Sequence, residues 1–378
     1  MNKPLTITFG ALNEAIGTEF RVAITPESSA RLLKAGIQPA IESAAGLKSG
    51  FSDADYEAVG AKILPREEIL GRSDAVAYIS LPDSSVIYSQ AKGSFAIGLF
   101  GSLVNKNAAQ QFESAQITAL DLTLLPRQLS KAQSMDALSS QASVAGYKSV
   151  LLAANEFNAF FPMMSTAAGT IKPAAVLILG AGIAGLQAVG TAKRLGAVVY
   201  AYDVRPAAKE EVLSLGAKFL DLSAYGCPDF SAGQGKGGYA RELTAEEKSA
   251  QQAAVDKAAS NFDIIITTAQ VPGRKPPVLL TKAGVDGLKR GSVIIDLAAS
   301  ALGGNVEGSR PELTIGTENG VKIIGAPGLA STAPKTASNL LARNIADAIT
   351  HFLKDGALTL TPDDELAVLA ISGVKKTS

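Results

Sequence analysis

The segment Gly180-Ala-Gly182-Ile-Ala-Gly185 is where residue types and spacing most directly imply chemistry. The apolar run Val176–Leu179 precedes it and small residues follow at helical spacing, so the turn joins a buried strand to a helix. In that setting Gly180 permits a tight turn, Gly182 lets main-chain N–H groups approach a pyrophosphate, and Gly185 lets the helix pack closely on the strand. The helix start adds unpaired donors and a partial positive charge. Asp203 closes the next strand, AVVYAYD, 18 residues beyond Gly185. A carboxylate there accepts hydrogen bonds from an adenosine ribose 2′-hydroxyl and repels a 2′-phosphate, which favours NAD(H) over NADP(H). Arg205, two residues on, is a group that would welcome a phosphate instead. The competing reading is a glycine turn that serves packing alone.

A second concentration of polar groups lies just ahead. Residues 125–142, LPRQLSKAQSMDALSSQA, hold Arg127, Lys131, Gln133, Ser134, Asp136, Ser139 and Ser140. Arg, Gln and Asp side chains together can hydrogen-bond a carboxamide, a ribose and a pyrophosphate. The segment reads either as the wall of a site or as a solvated interdomain linker.

The elements that must carry these groups alternate between extended and helical patterns. In the N-terminal third, strands are expected at Leu5–Phe9, 37–41, 75–79, 94–100 and 116–122, with helices at Pro26–Ala35, 53–59 and 107–114. A helix over Gly146–Phe161 follows, then a turn at 166–170. The second alternating series has strands at 176–179, 197–202, 217–221, 263–268, 292–297 and 321–324, and helices at 183–195, 206–215 and 244–260. A polar insertion, 223–241, interrupts it, and a last helix spans Pro334–Phe352. Strand–helix alternation implies mostly parallel sheets. The expected fold class is α/β: two Rossmann-like, doubly wound parallel-sheet domains, with the nucleotide domain (138–326) inserted in a discontinuous first domain (1–137 plus 327–378).

Composition removes several function classes. Thirty-five Lys+Arg balance 35 Asp+Glu over 378 residues, which argues against a nucleic-acid reader with a basic face. One Cys, Cys227, forms no internal disulfide, and one His, His351, builds no His-rich zinc site, so no metal is expected. Cys227 reads as a spectator thiol and His351 as a helix-end residue beside a favourable dipole. Residues 174–192 carry no charge and approach membrane-spanning length, but their glycine turn reads as strand-to-helix; no direct membrane span is expected.

Residues 126–146, PRQLSKAQSMDALSSQASVAG, together with TAAGTIKPAAVLILGAGIAGLQAVGTAKRLGAVVYAYDVRP, resemble the NAD(H)-binding first domain of the alpha subunit of proton-translocating NAD(P) transhydrogenase. The similarity runs from about Arg21 (RVAITPES) to Thr350 and is strongest at 126–221 and around SVIIDLA. The related alanine dehydrogenases share the RV-A-TP start and the glycine region. The resemblance implies that Arg127, Gln133 and Asp136 are catalytic, orienting the nicotinamide and its ribose, with Lys131 and Ser139 beside them. It places Gly180, Gly182, Ile183, Gly185, Asp203, Val204 and Arg205 on the pyrophosphate and adenosine side, with Gln251 and Gln270 as further contacts. Gly237-Gly238-Tyr239-Ala240 resembles the tip of a loop that closes over nucleotide, so Gly238 and Tyr239 belong to the implied set. This chain departs from the family in one extra residue between Arg127 and Lys131, and in Gln270 where a leucine is usual.

An amino-acid dehydrogenase moves a proton as hydride moves and needs a placed acid or base. Alanine dehydrogenase resemblance implies a Lys near 75–80 and a His after 94–100; this chain reads AVAYISLP and AIGLFGSLV there. Arg21 alone would bind a substrate carboxylate, or form a structural ion pair. Hydride exchange between two nicotinamide rings needs only near-attack geometry and exclusion of water. The transhydrogenase resemblance supplies the second ring as NADP(H) on a partner domain and couples transfer to proton movement through a membrane-spanning partner. It further implies a homodimer on the cytoplasmic face of the membrane. A free-standing alanine or amino-acid dehydrogenase, and a non-catalytic NAD(H)-binding paralogue, are the alternatives.

Overall fold

In this computed structural model the described residues are 6–228, 244–270 and 273–373. The chain divides into two compact units, Met1–Gln141 with Ala330–Ser378, and Ala142–Leu329.

The first unit holds strands β1 (Ile7–Ala11), β2 (Ile37–Glu42), β3 (Lys62–Leu64), β4 (Ala75–Ser80), β5 (Phe95–Leu99) and β6 (Thr118–Asp121). They form one six-stranded sheet in the order β3-β2-β1-β4-β5-β6, every neighbouring pair parallel. Side chains alternate between two buried faces. Ala75, Ala77 and Ile79 of β4 enter one core, and Val76 and Tyr78 enter the other. Burial on both faces is why these strands read as nearly continuous apolar runs. The helix Pro334–Phe352 returns to this unit and lays Leu341, Ile345, Ile349 and Phe352 on the first core at helical spacing.

The second unit includes a short antiparallel hairpin, β7 (Met164–Thr166) and β8 (Gly169–Ile171). Its sheet comprises β9 (Ala175–Leu179), β10 (Val198–Tyr202), β11 (Lys218–Phe219), β12 (Ile264–Thr267), β13 (Val293–Asp296), β14 (Thr314–Gly316) and β15 (Lys322–Gly325). The order is β11-β10-β9-β12-β13-β15-β14, parallel except for the edge pair β14–β15. Val176 and Ile178 face one core and Leu177 and Leu179 the other. The α/β class with two doubly wound sheets is thus what the residue pattern implies.

Several boundaries differ from the sequence reading. The first strand lies at Ile7–Ala11, because its pairing with Ile37–Ile41 and Ala75–Ala77 fixes the register. The helix expected at 146–161 spans Ala137–Glu156 instead. Asp136 Oδ1 accepts the Ser139 N–H at 2.9 Å, an N-cap bond that starts the helix inside the polar segment. Beyond 355 the chain also packs: Ile371 N–H donates to Ala119 O at 2.9 Å and Ser372 Oγ accepts the Ala119 N–H at 3.0 Å, which covers the edge strand β6. Residues 174–192 form a strand and a helix, and among the described residues no helix is long and apolar enough to cross a membrane.

Candidate nucleotide site

In the second unit, β9 ends in the glycine turn. Gly180 sits at φ +99°, a left-handed conformation that side chains strain to adopt, and its N–H donates to Tyr202 O at 2.8 Å. A Cβ on Gly185 would lie 1.8 Å from Gly180 O, so the first helical turn rests directly on the loop. Gly182 is the N-cap of the helix Ile183–Arg194 and supplies no side-chain cap. Its φ of −78° is ordinary, and among the described residues a Cβ built there meets nothing within 4 Å. Neither backbone conformation nor packing asks for glycine at that position. An open, side-chain-free helix start is a cradle for an anion, and the residues present fit a pyrophosphate.

Asp203 follows β10 and is tied to that turn. Its Oδ2 accepts the Ala181 N–H at 2.8 Å, and Oδ1 accepts the Arg205 N–H at 2.9 Å and Arg205 Nε at 3.1 Å. Arg205 Nη2 reaches Ala181 O at 3.2 Å. The Asp203 bond raises the Arg205 pKa against the opposing effect of burial, which holds the guanidinium in its charged form. Arg205 therefore braces Asp203 in this arrangement. Val204 and Ile183 expose their side chains beside them.

Gln251 Nε2 donates to Tyr202 Oη at 2.6 Å, behind the end of β10, and burial pushes the Tyr202 hydroxyl up to about 12. Gln270 is exposed after β12, its Nε2 bound to Leu297 O at 2.8 Å. Gly238 and Tyr239 lie outside the described residues. The sequence reading missed Thr268, whose Oγ1 donates to Gly180 O at 2.9 Å. No local pattern marks a threonine 88 residues away as the partner of a glycine turn.

The polar segment 125–142 belongs to the first unit except for its last residue. Asp136 is its centre: Ser139 donates through both N–H (2.9 Å) and Oγ (2.5 Å), and Arg127 Nε stands 3.7 Å away. Gln133 and Arg127 are exposed, whereas Asp136 and Ser139 are half-buried. The last long helix buttresses the segment: Asn344 Nδ2 donates to Ser134 O at 2.7 Å and Oδ1 accepts Ser140 Oγ at 2.7 Å. Lys131 is drawn aside from Asp136, bridging to Glu365 Oε2 at 2.8 Å and to Asp364 Oδ1 at 3.5 Å. His351 joins the same cluster through Asp364 Oδ2 at 2.5 Å, so it has a carboxylate partner that its helix-end position did not reveal. Arg21 forms the ion pair, with Glu19 Oε2 at 2.6 Å, and also donates to Gln141 Oε1 at 2.8 Å.

Parallel doubly wound sheets, a glycine turn opening a helix and an acid at the end of the next strand define a dinucleotide-binding α/β protein of Rossmann type. Residues 10–145 match the N-terminal domain of alanine dehydrogenase/PNT, and residues 149–375 match its C-terminal domain. The chain belongs to the alanine dehydrogenase/PNT family. It is 42% identical over 365 residues to the first part of NAD(P) transhydrogenase subunit alpha from Rickettsia prowazekii, covering 94% of this chain and 92% of that one. The like-named chain from Rhodospirillum rubrum is 41% identical, covering 92% of this chain and 91% of the relative. A crystal structure of transhydrogenase from Sinorhizobium meliloti superposes with a TM-score of 0.85 at 37% identity, over 96% of this chain and 97% of that one. The resemblance carried by the 126–146 and glycine-turn segments is borne out, and with it pyridine-nucleotide binding as the business of these domains.

Proposed function

We propose that this chain is the NAD(H)-binding component of a proton-translocating transhydrogenase, and that hydride passes between NAD(H) held here and NADP(H) held on a partner domain. The observation that carries this reading is Gly182: a helix start kept bare where no described residue fills the space. When bound, the nicotinamide supplies a hydride donor or acceptor carbon. The chain's own residues hold and orient it. The amides of the Gly180–Gly185 turn take the pyrophosphate, Asp203 the adenosine ribose, and Ile183, Val204, Arg205, Gln251 and Gln270 the flanks. Arg127, Gln133 and Asp136, with Ser139, orient the nicotinamide and its ribose. Lys131 stands beside them on the cofactor-binding side of the segment, its ammonium 2.8 Å from Glu365 Oε2.

Transfer between two rings needs no protein acid or base, which agrees with the absence of Lys and His at the ends of β4 and β5. The chain is active only with its NADP(H)-binding and membrane-spanning partners, as a peripheral subunit on the cytoplasmic face. Assembly as a homodimer belongs to this reading as what the family resemblance implies.

The test mixes the purified chain with the NADP(H)-binding domain of a transhydrogenase, NADPH and an oxidised NAD analogue. The expected result is analogue reduction that requires both proteins. NADH formation from alanine and NAD by this chain alone overturns the proposal in favour of an amino-acid dehydrogenase. Nucleotide binding without any transfer overturns it in favour of a non-catalytic paralogue.

A further inference from the structure

β9 and β12 are neighbours in the second unit's sheet, although the chain passes through β10 and β11 before reaching β12. The strand order reverses between them, and open parallel sheets take ligands in the crevice outside such a reversal. One wall here is the Gly180 turn. The other is the main chain leaving β12, Thr268–Gln270.

Hydrogen bonds set how far apart these walls stand. Thr268 N–H donates to Leu179 O at 2.9 Å and its Oγ1 to Gly180 O at 2.9 Å, which binds the two strand ends together. The next residue is held by Asn305. Its Oδ1 accepts the Ala269 N–H at 2.9 Å, and its Nδ2 donates to Ala269 O at 2.8 Å and to Pro277 O at 2.7 Å. One carboxamide thus satisfies both polar groups of one residue, as a neighbouring strand would, and fastens Pro277 to the same point. Asn305 is fully buried, and its own carbonyl accepts the Leu279 and Leu280 N–H groups at 2.7 and 3.0 Å. The adjoining Val306 N–H donates at 3.3 Å to Asp296, a buried carboxylate that also accepts Thr267 Oγ1 at 3.0 Å and Ala298 N–H at 2.9 Å. A continuous chain of bonds therefore links the end of β13, Asn305, the exit of β12 and the glycine turn.

We infer that Asn305 is a positioning residue of the nucleotide crevice: through Ala269 and Thr268 it fixes the width at which the exit of β12 faces the Gly180 turn, and so the fit of the pyrophosphate-to-nicotinamide span of NAD(H). This deepens the functional reading above and rests on it. Asparagine is the residue whose size and donor–acceptor set answer this geometry. Aspartate has the same shape but no donors, and would set a carboxylate against the Ala269 and Pro277 carbonyls. Buried carbonyls left without donors shift toward water, and Thr268 shifts with them.

The test measures NADH and AMP binding to the whole chain by fluorescence and calorimetric titration, with circular dichroism to select folded protein. AMP engages only the adenosine side of the site, next to β10. In Asn305→Asp, NADH affinity is expected to fall about tenfold or more while AMP affinity is unchanged. Thr268→Val severs the same link at a half-buried position and keeps the test decisive where Asn305→Asp does not fold; it is expected to show the same selective loss. Unchanged NADH affinity in a folded variant, or equal loss of NADH and AMP, overturns the inference alone. An unaltered chain that binds no NADH overturns the functional reading and this inference together.

Discussion

Asp203 Oδ2 accepts the Ala181 N–H at 2.8 Å, so the acid closing one strand is bonded to the glycine turn closing its neighbour. Its position is therefore set twice, by β10 and by the turn, and Arg205 braces it from the solvent side. A carboxylate held this way meets a ribose diol with little reorganisation. Asp203→Ala is expected to weaken NADH binding by roughly tenfold or more, since hydrogen bonds to a charged group contribute about 1.5–3 kcal/mol each. Titration of NADH fluorescence checks this, and an unaltered affinity would remove the ribose role.

Gly182 and Gly185 separate packing from binding. A Cβ on Gly185 falls 1.8 Å from Gly180 O, so Gly185→Ala must displace helix or turn and is expected to cost about 1–3 kcal/mol of stability. Gly182→Ala meets no described residue, at φ −78°, and is expected to melt like the unaltered chain. On the proposed reading its methyl group stands where the pyrophosphate binds, so NADH affinity should drop nevertheless. Thermal melts and NADH titrations on both variants would expose an error if Gly182→Ala bound normally.

Gln133 presents its side chain to solvent on a segment that Asn344 holds from behind. On the proposed reading its carboxamide orients the nicotinamide more than it adds affinity. Gln133→Ala is expected to slow hydride transfer, assayed with an NADP(H)-binding partner, by more than it raises the NADH dissociation constant. Equal effects on rate and binding would count against the orienting role.

Glu14 supplies a pH signature within the first unit. Both its oxygens accept the Ile79 N–H, at 3.0 and 3.1 Å, yet burial dominates and raises its pKa from 4.5 to about 8, with Glu19 pushing the same way and Arg21 opposing. At acidic pH, below the unfolded value of 4.5, the group is neutral in both states and has no effect on stability. Between 4.5 and about 8 the unfolded chain ionises first, so the folded state loses stability as pH rises; above that the penalty is constant. Because the side chain keeps some exposure, the loss is smaller than the full shift implies. Glu14→Gln is expected to raise the melting temperature at pH 8.5 relative to the unaltered chain, with the difference vanishing near pH 4. A constant difference across that range would show that folding leaves the Glu14 pKa unshifted.

The local features of the site were legible because their causes are local. A buried parallel strand must be apolar on both faces, and Val176–Leu179 is; a glycine turn announces itself by composition; an acid at the end of the next strand stands at a readable spacing. Helix limits were less so. Asp136 acts as an N-cap through Ser139, three residues on, inside a stretch whose polarity reads as loop. The edge strand β14, too short for a periodic signal, exists through its antiparallel pairing with β15.

The amino-acid sequence by itself determined the alternation of strands and helices, the bare helix start at Gly182 and the carboxylate at Asp203, since each depends on neighbours within a few residues. Only the tertiary structure decided that Lys131 turns to Glu365, that Thr268 bonds to Gly180, and that Asn305 closes on Ala269. Asn305 and Ala269 are 36 residues apart, Thr268 and Gly180 are 88 apart, and Lys131 and Glu365 stand further apart still. A hydrogen bond across such a separation is specified by which strands become neighbours and how the chain returns to them, which no local spacing encodes.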